Sequence, residues 1–481
     1  MQLHWHRRDL RGADNRALAA AARAVAAADG TAANVDGGVI SLFVFDESVL
    51  AHAGAPRVDY LLDALAELRE WYRERGGELL IRHGDPREVV PEVAQAIEAD
   101  RVVWNRDYSG LTRQRDSAVR QALNEVDIPR DSFHDAICHE PGSITTNQGD
   151  PYSVFTYFGR KWQGREKDDP YPDPDTDLLV DSDTAGVEAG SLPTLDELGF
   201  EKPEADLLTA GSEAAQKRLE AFCEDGIYRY EEDRDYPTQE STSRLSADLK
   251  YGTIGIREVY WTTENAREDA SEAEIESIEE FQSQLAWREF YTHVLWFHPN
   301  VVSENYKEYD NEIEWETNEE HLQAWKDGKT GYPIVDAGMR QLRAEGFMHN
   351  RVRMIVAAFL TKDLLIDWRE GYDWFREKLV DHDTANDNGG WQWAASTGTD
   401  AQPYFRIFNP MTQGERYDAD AEYIKEYVDE LEDTDPQIIH DWHEASLTQR
   451  RNAAPEYPDP IVDHSERREE AIAMFEAARG D

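Results

Sequence analysis

The chain predicts an α/β domain followed by a larger all-α domain, and three observations carry that reading. Four short, apolar, β-rich runs, Leu3–His6, Val39–Phe45, Leu79–Arg82 and Val102–Trp104, alternate with helical patterns such as Arg57–Arg75 and Pro86–Glu98. That spacing is the signature of βαβ units and of a Rossmann-like parallel sheet. From about Glu140 to Asp225 the periodicity decays, and DDPYPDPDTD reads as part of a long interdomain connector. Beyond it the chain is helix-patterned almost throughout, so the expected divisions are 1–132, 133–208 and 209–481.

Each element has its own justification. Ligands on parallel sheets sit at the carboxyl ends of the strands, but the chain has neither GxGxxG nor GxxxxGK[ST], so an ordinary dinucleotide or nucleoside-triphosphate site is unsupported. In the helical half, Met348, Val352, Ile355 and Phe359 fall at helical spacing and make one apolar face. Asn350, Arg353 and Ala357 lie on another face of the same helix, free to point into a pocket.

Bulk composition narrows the class. A chain of 481 residues with 40% hydrophobic residues and 14 Trp is long enough for two domains and a sizeable core, which excludes a disordered chain. Cys138 and Cys223 form no disulfide framework or metal motif, so a reducing cytoplasm and no metal are expected. The N-terminus reaches HRRD without an apolar signal core, and the run Ala17–Ala28 is interrupted by Arg23 and too short for a bilayer. A soluble protein with no membrane partner is expected.

The charge points two ways. A net charge of −49 is the wrong sign for holding DNA by its phosphates. The excess gathers in helix-like stretches around Glu67–Glu74, Glu272–Glu280 and Asp429–Asp435. Residues 331–362 run the other way, with Arg340, Arg343, Arg351, Arg353 and Lys362 against only Asp336 and Glu345. Two readings compete, a protein that avoids nucleic acid and one whose acidic surface suits high salt. An acidic, halophilic shell with one basic face kept for DNA is the reading taken, and in strong salt such a face gains little from counterion release.

The chemistry concentrates between Asp381 and Asn409. Asp381, Asp383, Asp387 and Asn388 precede Trp391 and Trp393, a small-residue turn and an aromatic exit. Carboxylates beside large flat rings suit a pocket for a planar polar ligand. Composition alone favours slightly the plainer alternative, a capped helix followed by buried Trp. A second stretch, Thr242, Ser243, Arg244, Leu245 and Ser246, brings hydroxyls, backbone N–H groups and a guanidinium to a helix start, which suits an anion; alone it is no more than a Ser/Thr cap.

NDNGGWQWAASTGTDAQPYFRIFNP resembles the flavin-and-substrate segment of the DNA photolyase/cryptochrome family, in particular the microbial class I cyclobutane pyrimidine dimer photolyases of haloarchaeal type. HWHRRDLRGADNRAL, TSRLSADLKYGTIG, QLAWREFY, TGYPIVDAGMRQL and MHNRVRMIVAAFLTKDLLIDW follow the family's order, so the likeness covers nearly the whole chain. It implies an N-terminal antenna-chromophore domain, a long linker and a helical domain that binds FAD, active as FADH⁻, and UV-damaged DNA. Tyr230 and Thr242–Ser246 would hold the pyrophosphate. Arg288, Asn350, Arg353, Asp381, Asp383 and Asn388 would surround the ribityl chain and flavin, with an Arg353–Asp381 ion pair. Trp391, Trp368 and Trp315 match the family's electron-transfer chain, and Asp387 stands at the position facing flavin N5. Trp287, Trp393 and Met354 match the apolar lesion walls, Gln284, Asn350 and Arg351 its polar contacts, and Arg234 a backbone contact. Light-driven splitting of cyclobutane dimers, by a monomer with no obligate protein partner, is the implied activity.

Three departures qualify the match. Gln284 stands where cyclobutane-dimer photolyases carry Glu, as in (6-4) photolyases; Phe347 replaces a Trp; and Asp387 replaces an Asn, as in plant cryptochromes. A cryptochrome-like blue-light receptor and a (6-4) photolyase therefore stand as alternatives. The acidic surface also favours a receptor, while the lack of a long extension past Asp481 and the retained MHNRVRM, Trp391 and Trp393 count against it. A single His349 followed by Asn350 argues against (6-4) repair. The usual folate anchors align with Thr112 and Ser303, whereas Arg57, Asp107 and Lys250 fit the deazaflavin-binding branch; 8-hydroxy-5-deazaflavin is expected as antenna in preference to methenyltetrahydrofolate.

Overall fold

The computed structural model describes residues 1–28, 37–268 and 270–480. Its five strands, β1 Gln2–His6, β2 Val39–Phe45, β3 Leu79–His83, β4 Arg101–Asn105 and β5 Arg130–Phe133, form one parallel sheet in the order β3-β2-β1-β4-β5. The strands of its centre are apolar because helices cover both faces: Leu3, Leu42, Leu80 and Val102 pack on one side, and Phe43, Leu79 and Val103 on the other against helices Arg16–Ala28 and Ala55–Glu74. Strand order reverses between β1 and β4, so the crevice of the sheet opens beyond His6 and Asn105. The sequence missed β5, whose Arg-Asp-Ser-Phe is too polar to read as a strand; an edge strand tolerates that composition. It ends at Phe133, one residue beyond the expected boundary.

The connector is more ordered than its composition suggests. Phe155–Gln163 forms a helix whose Phe158 and Trp162 are buried in the core of the helical domain, beside Phe290 of the 26-residue helix Glu272–Phe297. Further on, Leu179 bridges to Val39, and the N–H of Ile81 donates to the carbonyl of Ala189. The linker thus packs into both domains. Basic residues around Trp162 masked the two apolar positions, Phe158 and Trp162, that anchor it.

The helical domain surrounds a core in which Met348, Val352, Ile355 and Phe359 are all buried, on the face expected from their spacing. Helices Pro333–Glu345, Asn350–Ala358, Trp368–Lys378 and Thr384–Ala394 contribute to it, together with residues from 421–457. A buried ion cluster ties the domains together: Arg257 bonds Asp14 at 2.6 Å and Asp135 at 2.5 Å, and Arg11 bonds Asp135 at 2.6 Å. Among the described residues no helix is long and apolar enough to cross a membrane.

Candidate cofactor and lesion site

Asp383 starts the site. It caps helix Thr384–Ala394, accepting from the N–H groups of Ala385 and Asn386 and from the Asn386 side chain at 2.8–3.2 Å. Its other oxygen accepts from Arg8 at 3.0 Å, beyond the carboxyl end of β1. Burial opposes its charge, but Arg8, Lys250 and Arg288 outweigh burial and hold the carboxyl well below its ordinary value. A capping carboxylate also meets the positive end of the helix.

Asp381 and Asp387 share Arg353, which bonds Asp381 at 2.8 Å while its Nη1 lies 3.8 Å from Asp387 Oδ1. Burial, with Asp381 and Asp383 adding to it against Arg353, pushes Asp387 up to about 7. Within 381–391, Asp381 Oδ1, both ring nitrogens of His382 and Trp391 Nε1 are buried and have no hydrogen-bond partner among the described residues. Buried polar atoms are normally satisfied, so this concentration fits a wall built for a polar ligand.

The anion stretch lies alongside. Arg244 sits at φ 53°, held there by a 2.8 Å bond to Glu345 and by its stack on Phe347 at 3.9 Å. Phe347 also faces Arg353 at 5.3 Å, so the ring that replaces Trp keeps a stacking role. Thr242 and Ser243 are half-buried, Leu245 is buried, and Ser246 is exposed at the start of helix Ser246–Tyr251. Tyr230 packs edge-on to Phe222 and Phe281, with Arg234 over its ring. Arg288 donates to the carbonyls of Ala136 and Leu249, and Asn388 donates to Val301 at 2.7 Å while accepting from Gln392. The last two side chains support the site's backbone.

On the adjoining face, Gln284 donates to Glu280 at 2.9 Å, and Arg234 pairs with the same carboxylate. Trp287 stacks on Phe155 at 3.8 Å, Trp393 tilts against Phe408 at 6.3 Å, and Asn350 lies against Met354. Arg351 bonds Asp235 at 2.5 Å and stacks over Tyr417 at 4.4 Å. The basic face expected over 331–362 does not form. Arg340 pairs with Glu430, Arg343 with Asp327, Arg351 with Asp235 and Arg353 with Asp381, and Lys362 is buried, its burial holding it well below its ordinary pKa. In so acidic a chain, nearby carboxylates capture the arginines.

Two of the three tryptophans are buried and the third is half-buried. Trp391 is buried against Phe375 at 5.0 Å and Trp325 at 6.1 Å. Gly371 lets helix Trp368–Lys378 approach it: a Cβ there would overlap the Trp391 ring. Trp368, one turn earlier on that helix, is fully buried with Nε1 on Asn305 at 2.9 Å. Glu316 pairs with Ile366 just upstream, which brings the half-buried Trp315 alongside.

At the domain junction, Arg8 lies 3.3 Å from Asp107 as well as 3.0 Å from Asp383. Burial and Arg8 lower the Lys250 ammonium to about 8, against the pull of Asp383 and Asp107. Arg57 donates to the carbonyls of His52 and Arg376 at 2.6 and 2.7 Å, joining the sheet domain to helix Trp368–Lys378.

Residues 2–175 match the family model described as DNA photolyase, and residues 281–477 the one described as FAD binding domain of DNA photolyase. The chain is 64% identical, over 100% of both chains, to a deoxyribodipyrimidine photo-lyase of Halobacterium salinarum. The chain belongs to the DNA photolyase family. Its structure is similar to a class III photolyase from Agrobacterium tumefaciens, with TM-score 0.89, 37% identity and 100% and 98% of the two chains covered. It also resembles the archaeal photolyase from Sulfolobus tokodaii solved with two FAD molecules, with TM-score 0.82, 33% identity and 99% of each chain covered.

Against this photolyase frame, four residues escaped the sequence reading. Arg8 lay unnoticed in HRRD, Glu280 and Glu345 passed as acidic surface, and His382 looked like a spacer between two aspartates. Pairing with a charge far along the chain reveals Arg8, Glu280 and Glu345, and burial without a hydrogen-bond partner among the described residues reveals His382. The clefts of about 400 Å³ beside Tyr332 and His464 and about 500 Å³ beside Arg82 and Gly190 lie elsewhere.

Proposed function

We propose that the protein is a deoxyribodipyrimidine photo-lyase that splits cyclobutane pyrimidine dimers in UV-damaged DNA under blue light. The Asp381–Trp393 segment carries the reading: three carboxylates, Arg353 and a run of unpartnered buried polar atoms, in a chain 64% identical to a photo-lyase. Bound FAD, as FADH⁻, supplies the photoexcited electron that splits the dimer and takes it back.

The chain's own residues bind, orient and tune. Thr242, Ser243, Arg244, Leu245, Ser246 and Tyr230 hold the pyrophosphate, and Asn350, Arg353, Asp381 and Asp383 flank the flavin. Arg288 and Asn388 brace the backbone around it. The lesion must leave the duplex stack to be reached. Trp287, Trp393 and Met354 then form its walls, and Gln284, Asn350 and Arg351 its polar contacts, while Arg234 meets the DNA backbone. Trp315, Trp368 and Trp391 carry an electron inward when the flavin needs reduction, and Asp387 sets the charge opposite N5.

An antenna site at the junction is part of the proposal. Asp107 and Lys250 lie together beyond β4, which favours 8-hydroxy-5-deazaflavin over methenyltetrahydrofolate, with Arg57 holding that edge. The domain division 1–132, 133–208 and 209–481, a monomeric state without an obligate partner, a cytoplasmic location and a halophilic surface complete the reading.

Two observations favour other members of the family: Gln284 a (6-4) photolyase, and the raised Asp387 a cryptochrome-like receptor. The test gives photoreduced protein in high salt two oligonucleotides, one with a cyclobutane thymine dimer and one with a (6-4) lesion. Blue-light repair of the first alone is expected. Repair of the second alone overturns the lesion assignment, and repair of neither favours the receptor.

A further inference from the structure

His382 is the least explained side chain of the site. Its ring is buried, and among the described residues neither nitrogen has a hydrogen-bond partner. Nε2 lies 3.9 Å from Asp387 Oδ2, and the ring stands edge-on to Tyr372 at 5.3 Å. A buried ring with two unmet polar atoms costs free energy.

The charges around the two groups decide their states. Asp387 is crowded by Asp381 and Asp383, while its Oδ2 accepts the Asp383 N–H at 2.9 Å and Arg353 lies 3.8 Å from its Oδ1. His382 is buried and faces Arg57 from helix Ala55–Glu74, Lys250 from helix Ser246–Tyr251 and Arg376 from helix Trp368–Lys378, against Asp383 beside it. Burial and those cations favour the neutral imidazole, while burial and the neighbouring carboxylates, against Arg353 and the Asp383 N–H, favour the protonated form of Asp387 below about 7. A carboxylic acid needs an acceptor for its O–H, and a neutral imidazole has one nitrogen to accept with.

We propose that His382 is the positioning residue for Asp387, its Nε2 accepting the O–H of the carboxyl at Oδ2. Closing 3.9 Å to an ordinary hydrogen bond of about 2.7 Å takes a side-chain rotation of roughly 1 Å. The bond fixes three things. The proton sits on Oδ2, whose lone pair still accepts the Asp383 N–H, Oδ1 remains the carbonyl facing Arg353, and the imidazole is the Nδ1–H tautomer. The acid is thereby locked in one orientation at the flavin position. That consequence rests on the FAD reading, but the bond itself does not.

The test is infrared difference spectroscopy on the FAD-loaded protein across the neutral pH range, with nitrogen NMR of the labelled histidines. A protonated-carboxyl C=O band is expected, absent in Asp387→Asn and bleaching as pH rises through about 7. His382→Leu should move that band to higher frequency and its bleaching to lower pH, because the bond to the neutral acid is lost. His382→Gln, which keeps an acceptor, should restore both. The NMR should find Nδ1 protonated and Nε2 as the acceptor. An ionised Asp387 throughout the range, a band that His382→Leu leaves in place, or an Nε2–H tautomer overturns the proposal, whatever the protein does to DNA.

Discussion

Arg353 bonds Asp381 at 2.8 Å with one nitrogen and stands 3.8 Å from Asp387 with the other. One guanidinium answers two carboxylates, and the second is left under-compensated. The ordered pair at Asp381 holds the site's shape, and the strained charge at Asp387 makes it responsive.

Breaking that pair leaves Arg353 only the Asp387 carboxylate at 3.8 Å, and losing one partner of a buried pair costs about 3–5 kcal/mol. Asp381→Ala should therefore lower the unfolding free energy by roughly 3 kcal/mol in a denaturant titration. It should also lose FAD on gel filtration.

Asp387 gives stability a pH dependence. Its folded value, about 7, exceeds the unfolded 3.8, so the native state binds the extra proton in between. Stability from this group is fully present below about 4 and is lost as pH rises through about 7. Asp387→Asn should be the more stable protein at pH 8, by up to about 4 kcal/mol at 1.36 kcal/mol per unit, and the gap should close below pH 4. Thermal unfolding of both proteins against pH reads this.

Gln284 donates to Glu280 at 2.9 Å. Gln284→Glu sets two carboxylates face to face and should weaken binding of dimer-containing DNA above the pH at which both ionise, with little effect in acid. Fluorescence anisotropy at pH 5 and pH 8 distinguishes this from a simple loss of shape.

Trp391 and Gly371 are in contact through the missing Cβ. Gly371→Ala should destabilise by about 1–3 kcal/mol and slow light-driven flavin reduction, which Trp391→Phe should abolish. Chemically reduced protein of either variant should still repair, as followed by flavin absorbance and thymine recovery.

Because Arg340, Arg343, Arg351 and Arg353 already have carboxylate partners, few phosphates are neutralised on binding. Affinity for undamaged duplex should fall with log salt at a slope shallower than about −3, at roughly −0.9 per phosphate. A slope near −6 would mean that DNA displaces those partners.

The sequence carried the strands β1 to β4, the apolar face from Met348 to Phe359 and the Arg353–Asp381 pair, because period and motif are local signals. It did not carry β5, whose polar edge composition hides it, or the Phe155–Gln163 helix, whose anchors sit among basic residues. Nor could it foresee that Arg340, Arg343 and Arg351 would be paired as well. Those partners lie far along the chain, and only folding brings Glu430 to Arg340 or Asp235 to Arg351. His382 was invisible for a different reason: its importance lies in burial without a hydrogen-bond partner among the described residues, with Asp387 at 3.9 Å.

The most direct measurement is blue-light recovery of thymine absorbance from an oligonucleotide with one cyclobutane thymine dimer, using photoreduced protein in high salt. Recovery is expected in the light, with none in the dark and a severe loss in Trp393→Ala. A flavin-loaded, reducible protein that leaves the dimer intact would contradict the account.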